Sequence, residues 1–515
     1  MTRSIFSNWV GLVVLAASTA VLTPIMIHHL GAVDYGVWVL VGSILDYYGL
    51  LDLGMRSAMF RYVALFRGAD VREEVDRTFS SALFLVVATG AFICILSIAV
   101  GAIVPRLWSL RDTSPAALGW LLLLLGISVG ITFPTRMLAT YISAHQRWDL
   151  YNAAGIVNIT ARAAAIVIVL KLGYGILAVA IATVLVALFS LGQHIVFVRI
   201  ADPLVHARVH LISIRRIREL FAFSMRSLLV QIGDYLRFYS SAAVIASILN
   251  VALVTPFNVA TRLIECFKSV VIAAGGPVLA TMTELDGSRQ QQRLRDLLLR
   301  STRFLALLSV LGGSLLLVDG RALLRVWVGE EMISAYPVLA VLTLGYLVNL
   351  AQHPALLIVI AKGQHGPLGW WTIAEGVANI ALSVVWGMSH GLLGVAAGTM
   401  VPMLVIKLVI QPYYACKAAE LDGWKYLSEA LARPMIVGVL FTVVAARVFI
   451  SPELNAITFF TTVGLQVLVF LGLASVLGLT RAERQWLWDS ARRRLCLWGI
   501  PLKHPTLSTQ KPDLN

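Results

Sequence analysis

Apolar residues run through this chain in long blocks, each close to the roughly twenty residues that an α-helix needs to cross about 30 Å of hydrocarbon. The blocks fall approximately at 8–28, 36–58, 80–104, 117–141, 153–170, 175–197, 221–248, 252–282, 302–319, 335–360, 367–388, 392–413, 432–449 and 457–479. The pattern predicts an all-α integral membrane protein with about fourteen transmembrane helices. The gaps are short, and no Pro/Ser/Gly-rich or charge-rich stretch divides the blocks, so one membrane domain with a C-terminal tail is expected. The first block, from Asn8 to His28, has one Arg before it and no small-residue cleavage site after it, which reads as a retained helix rather than a signal peptide.

Composition agrees, with 59% hydrophobic and 13% charged residues, where soluble domains carry about 45–50% and 25%. A net charge of +14 could suggest nucleic acid, but the basic residues follow the topology instead. Of the 41 Lys and Arg, 27 fall in the even-numbered gaps and the termini, six in the odd-numbered gaps, and eight within spans. By the positive-inside bias both termini are cytoplasmic, and no nucleic-acid partner is expected. The stretch Val209–Phe221, the stretch around Leu294, Leu297 and Leu298, and the tail around Trp486, Trp488 and Trp498 read as amphipathic helices at the lipid headgroups.

A repeat is visible within the chain. Tyr141 to Arg147, Ala154-Gly-Ile-Val-Asn-Ile159 and Leu177 to Thr183 recur as Val359 to His365, Glu375-Gly-Val-Ala-Asn-Ile380 and Leu393 to Thr399, at offsets of 216 to 221 residues. Spans 5 and 6 therefore pair with spans 11 and 12, and two like-oriented six-helix lobes are expected with a cleft between them. The organisation read from this is an N-lobe over 1–200, an interfacial linker over 201–220, a C-lobe over 221–414, two further helices over 415–480 and a basic tail over 481–515.

Eight basic residues lie within spans, at about 2.5–3.5 kcal/mol each if they faced lipid at mid-membrane. Arg226 and Arg237 share one face of span 7 with Asp234 at its edge; Asn258, Arg262 and Glu265 share a side of span 8; Asn158 and Arg162 lie one turn apart in span 5. Arg136 lies in span 4. Such an excess of guanidinium groups points to a wet cleft that receives an anion, phosphate above all. The candidate substrate-binding residues are thus Arg136, Arg162, Arg226, Arg237, Arg262, Asn158 and Asn258. Asp46, Asp234, Glu265 and Glu375 are the candidates for ion coupling. The competing reading pairs Arg237 with Asp234 and Arg262 with Glu265 to hold helices together; Asp52 and Arg56, four apart, read as a structural ion pair. The four cysteines show no metal spacing, so no metal site and no cofactor are expected.

At the N-terminus, the run from Asn8 through Pro24, then His29-Leu-Gly-Ala-Val-Asp-Tyr-Gly-Val-Trp38 and Tyr47-Tyr-Gly-Leu-Leu-Asp-Leu-Gly-Met-Arg-Ser-Ala58, resembles the Wzx-type polysaccharide flippases. These O-antigen and exopolysaccharide exporters share the MOP superfamily with the MurJ lipid II flippases and the MATE antiporters. The resemblance implies transport of an undecaprenyl-diphosphate-linked oligosaccharide across the bacterial inner membrane, beside membrane lipids and the polymerase or glycosyltransferase machinery of polysaccharide assembly. The alternatives are a MATE-like multidrug or cation antiporter, whose cavity should be acidic or aromatic, and a membrane-embedded polysaccharide-processing enzyme. The latter needs a sizeable extracytoplasmic loop with acid/base residues, which the short odd-numbered gaps do not offer.

Overall fold

The computed structural model describes residues 2–52, 55–107, 114–363, 366–449, 456–480 and 483–485, with the side chains at 2–13, 15, 16, 57, 222–231, 233, 234, 237, 238, 280 and 456 left undescribed. The helices are α1 (Thr2–Asp46), α2 (Met55–Gly68), α3 (Arg72–Leu107), α4 (Pro115–Ala144), α5 (Trp148–Lys171), α6 (Ile176–Ala201), α7 (Ile214–Ile248), α8 (Val254–Gly287), α9 (Gln291–Val328), α10 (Tyr336–Ala351), α11 (His353–Ala361), α12 (Gly366–Val405), α13 (Gln411–Ala419), α14 (Gly423–Tyr426), α15 (Arg433–Val448) and α16 (Ala456–Leu473). No strand occurs among the described residues. Eleven helical stretches there are long and apolar enough to cross a membrane. Helices suit that solvent because each satisfies its own backbone polar groups.

Two helices are broken by glycine. Gly31 in α1 has φ of 77° and Gly391 in α12 has φ of 60°, values that only glycine adopts without a Cβ penalty. Each break divides its helix into two segments, at the places where the apolar pattern changes block. Left-handed residues also mark the internal repeat. Asp70 and Arg289, Gln146 and Gly363, and Gly173 and Gly391 all have positive φ, at offsets of 219, 217 and 218 residues. The two halves of the chain turn at equivalent points.

The structure corrects three details of the sequence reading. The second span does not continue to 58: α1 ends at Asp46, a 3₁₀ turn covers Tyr47–Asp52, and α2 starts afresh at Met55. Arg56 donates to Asp52 at 2.8 Å across this junction, as the four-residue spacing suggested. The stretch before span 9 is not laid on a lipid surface, since Leu294 and Leu298 are fully buried against α11, α13 and α14. At the start of α7 the residue tucked inward is Arg216, which pairs with Glu74 and Glu219 and lies over the rings of Tyr62 and Phe66, while Ile214 is 76% exposed. A guanidinium that finds two carboxylates and two aromatic faces outweighs the apolar periodicity.

The linker before α7 is sewn to α3. His206 N donates to Asp76, Arg208 N to Ser80 Oγ and Ser213 N to Ser81 Oγ; Ser213 Oγ in turn caps α7 by accepting from Arg216 N. Beside it Asp202, buried at the end of α6, accepts from the Tyr141 hydroxyl at 2.6 Å and from Arg72 at 2.8 Å, with His145 Nε2 at 3.4 Å. On the other side of the molecule α15 and α16 pack on α9 through Val310, Phe441 and Phe470, with Gln466 donating to Asp319 at 3.2 Å.

Burial by itself would push the Asp202 carboxyl up, but the Tyr141 and Arg72 donors outweigh it and hold the group below its ordinary value. A depressed carboxyl contributes stability that is fully present above its unfolded value of about 3.9 and lost as pH falls through the lower folded value. Asp202→Asn is expected to cost about 1–3 kcal/mol at neutral pH. Thermal melts of the purified protein should show the wild-type advantage vanishing in acid below about pH 4; a constant gap between the two proteins down to strong acid would contradict the assignment.

Candidate functional site: a basic cavity between the lobes

A cavity of about 1260 Å³ lies between the two halves, walled by α1, α4, α5 and α6 on one side and by α7, α8, α10 and Thr399 of α12 on the other. The halves meet tightly around the break at Gly31. Thr255 donates to Ala32 O at 2.6 Å, Tyr35 to Asn258 Oδ1 at 3.1 Å and Trp327 Nε1 to Ala20 O at 2.7 Å. The largest apolar core is continuous across this junction. From there the cavity runs toward the opposite, basic face, reaching Ala139, Tyr151, Asn152 and His194 near the helix ends of α4, α5 and α6.

Of the residues anticipated from sequence, Arg136, Arg162, Arg262, Asn158, Asn258, Asp46 and Glu265 all line this one cavity. At 1.5 Å of rise per residue, Arg162 and Arg262 each stand about 12–14 Å in from the helix ends on the sealed side, one on each lobe. Arg136 stands about 12 Å in from the basic end of α4. The Arg162 and Arg262 guanidinium groups are near enough to repel each other, and both feel the Asp46 carboxylate. Arg162 is exposed and lines the cavity.

Arg262 does pair with Glu265, at 2.9 Å, with the two side chains 42% and 52% exposed. The pair therefore lies open on the cavity wall. Arg136 and Arg162 join none of the ion pairs formed among the described residues. Lys268 adds a further ammonium, so the described lining holds four cations against Asp46 and Glu265. Glu375 lies elsewhere: it is 1% exposed inside the C-terminal half, with Lys407 Nζ 4.0 Å from its carboxylate. Lys407 also donates to Gln411, within a buried network that includes Gln352 and Tyr426. The side chains of Arg226, Asp234 and Arg237 fall outside the described residues.

Apart from Asn158 and Asn258, sequence reading missed the neutral part of the wall. Tyr35, Trp38, Tyr151, Tyr239 and Tyr346 line the cavity among many hydroxyls and amides, including Thr19, Ser43, Thr132, Asn152 and Thr261. Tyr239 also packs on Tyr235 and Tyr47, with centroids 5.0 and 6.4 Å away. A signal was present: Tyr35, Trp38, Gly42 and Asp46 are spaced by three, four and four residues, one face of a helix. Aromatic rings inside an apolar block give no contrast in hydropathy.

A family model described as polysaccharide biosynthesis protein matches residues 30–336, well over half of the chain. The chain belongs to that family. Its fold is that of the MOP superfamily. A structure of the lipid II flippase MurJ in an inward closed conformation covers 92% of this chain and 98% of its own, with a TM-score of 0.70 at 13% identity. An inward-facing multidrug resistance MATE family transporter covers 79% of this chain and 94% of its own, with a TM-score of 0.67 at 13% identity. A MOP superfamily transporter from Pyrococcus furiosus, noted for the reverse polarity of its binding pocket, covers 81% and 96% with a TM-score of 0.58 at 14% identity. A search of curated protein sequences returns no match. Membership in the polysaccharide family and the MOP fold agree with the resemblance to Wzx-type flippases read at the N-terminus.

If the arginines stand in a wet cavity, cysteines placed there should be reached from water. In a background without native cysteines, Arg162→Cys is expected to react with a membrane-impermeant maleimide at least about tenfold faster than Glu375→Cys, since thiol reactivity follows exposure. Equal, slow labelling of both would refute the cavity.

Proposed function

We propose that this protein is a lipid-linked oligosaccharide flippase, not an enzyme, which carries an undecaprenyl-diphosphate-linked glycan from the cytoplasmic to the periplasmic leaflet of a bacterial inner membrane by alternating access. One observation carries the reading: arginines from both lobes, Arg136, Arg162 and Arg262, outnumber the carboxylates on a single cavity whose wall also offers hydroxyl, amide, aromatic and aliphatic side chains. Guanidinium groups bind phosphate oxygens in bidentate fashion and keep their charge at any working pH. Aromatic faces and neutral hydrogen-bonding groups suit the apolar faces and hydroxyls of sugars. A diphosphate followed by sugars therefore matches both parts of the lining, whereas an organic cation would meet the aromatic faces but be repelled by the four cations.

The basic bias of the even-numbered gaps supports cytoplasmic termini. On that orientation the cavity opens inward, toward the leaflet where a lipid-linked precursor would be loaded, and the seal at Gly31 faces out. The lipid tail would stay in the bilayer while the head group enters. The greater share of the chain spanned by the flippase structure than by the multidrug transporter supports α15 and α16 as part of the working unit.

Removing one charge-assisted contact costs about 1.5–3 kcal/mol, a factor of roughly ten to a hundred. In a host whose own flippase is deleted, Arg162→Ala and Arg262→Ala are expected to cut surface polysaccharide by at least about tenfold at unchanged protein level in the membrane. Wild-type amounts of surface polysaccharide from both variants would overturn the proposal.

A further inference from the structure

Asp46 is an acid in an unfavourable place. It is the last residue of α1, directly before the 3₁₀ turn over Tyr47–Asp52, and it lies within an apolar span, where a carboxylate is costly. Residues that break a local rule with no local gain are where function is to be sought. Its surroundings supply the gain. The carboxylate lines the cavity and lies in the field of Arg262, Arg136 and Arg162 together. It forms none of the close ion pairs found among the described residues, so none of these three guanidinium groups holds it at contact distance.

Its depth is informative as well. Counted from the break at Gly31, Asp46 lies about 22 Å along its segment, deeper toward the basic face than Arg162 and Arg262. Glu265, the other described carboxylate of the lining, already holds Arg262 at 2.9 Å. Asp46 is therefore the anion that offsets the mutual repulsion of Arg162 and Arg262 while the cavity is empty.

Resting on the flippase reading above, we infer that Asp46 is a resident counter-ion that competes with the substrate's diphosphate for the arginines and so promotes its release. A diphosphate that takes the guanidinium groups leaves Asp46 without its partners and facing another anion. The bound state is thereby held short of its full affinity. When the lobes reopen, the arginines have a carboxylate to return to, and the diphosphate departs without leaving them bare in a low-dielectric site. Without Asp46 the same cavity would hold the anion more tightly and turn over more slowly.

Inorganic pyrophosphate is the probe, titrated into the full-length chain in nanodiscs, alongside surface polysaccharide in the deleted host. Two charges 8–10 Å apart at an effective dielectric near 20 interact strongly enough to change affinity by about tenfold. Asp46→Asn is expected to bind pyrophosphate about tenfold more tightly than wild type while delivering less polysaccharide, and Asp46→Glu to behave like wild type in both. Asp46→Ser, which also removes the charge, gives the same test should the asparagine variant misfold. A merely structural role would weaken binding and delivery together. If Arg162→Ala weakens pyrophosphate binding but Asp46→Asn and Asp46→Ser bind no more tightly than wild type, the counter-ion role is wrong and the flippase reading stands. If wild type does not bind pyrophosphate, or Arg162→Ala binds it equally well, the flippase reading fails and the counter-ion role with it.

Discussion

A guanidinium group cannot lose its charge at working pH and cannot rest in hydrocarbon, and much of this architecture follows from that constraint. Arg136, Arg162 and Arg262 sit on helices that cross the membrane, far from either end. Their presence demands a water-filled space, and the two lobes provide it by closing tightly around the cavity at the Gly31 end while leaving the middle open. The hydrogen bonds from Thr255 and Tyr35 across the junction close the space, while the like charges of Arg162 and Arg262 oppose its collapse. A cavity held shut at one end and pushed open in the middle has the features that the proposed alternating access would use.

Several buried charges away from the cavity follow the opposite rule and are closely paired. Asp202 draws on Tyr141 and Arg72, Arg303 donates to Glu483 and to Glu429 O, and Lys407 meets Gln411 and Glu375. These networks tie helices to one another within the N-lobe, or join the C-lobe to the helices and tail that follow it. Charges open to the cavity are exposed to it. The division separates framework from working surface more clearly than hydropathy does, because both sets lie at similar places in the sequence blocks.

Much of the fold was legible from the chain. Apolar blocks of twenty residues leave little choice but membrane helices, and the repeat offset reappears in the left-handed residues Asp70 and Arg289, Gln146 and Gly363, Gly173 and Gly391. Arg262 and Glu265, or Arg56 and Asp52, could be paired on paper because a helix brings i+3 and i+4 together. Lys407 and Glu375 could not, being 32 residues apart, nor could an Asp202 cluster gathered from positions 72, 141, 145 and 202. The early end of span 2 was hidden for another reason: Tyr47 to Met59 carries only Asp52, Arg56 and Ser57 among apolar and small residues, and a 3₁₀ turn rich in Tyr, Gly and Leu looks like helix to any measure of hydropathy.

The stitching of residues 206–213 onto α3 carries a mechanical consequence. The only covalent strand between the halves has its slack taken up before α7 begins, so this crossing gives no loose rope to pay out as the lobes swing. Whatever angle they adopt must be absorbed along α7 itself, by bending or tilting. Under the proposed mechanism, the compliance of that one helix would therefore limit how far the two halves can tilt against each other.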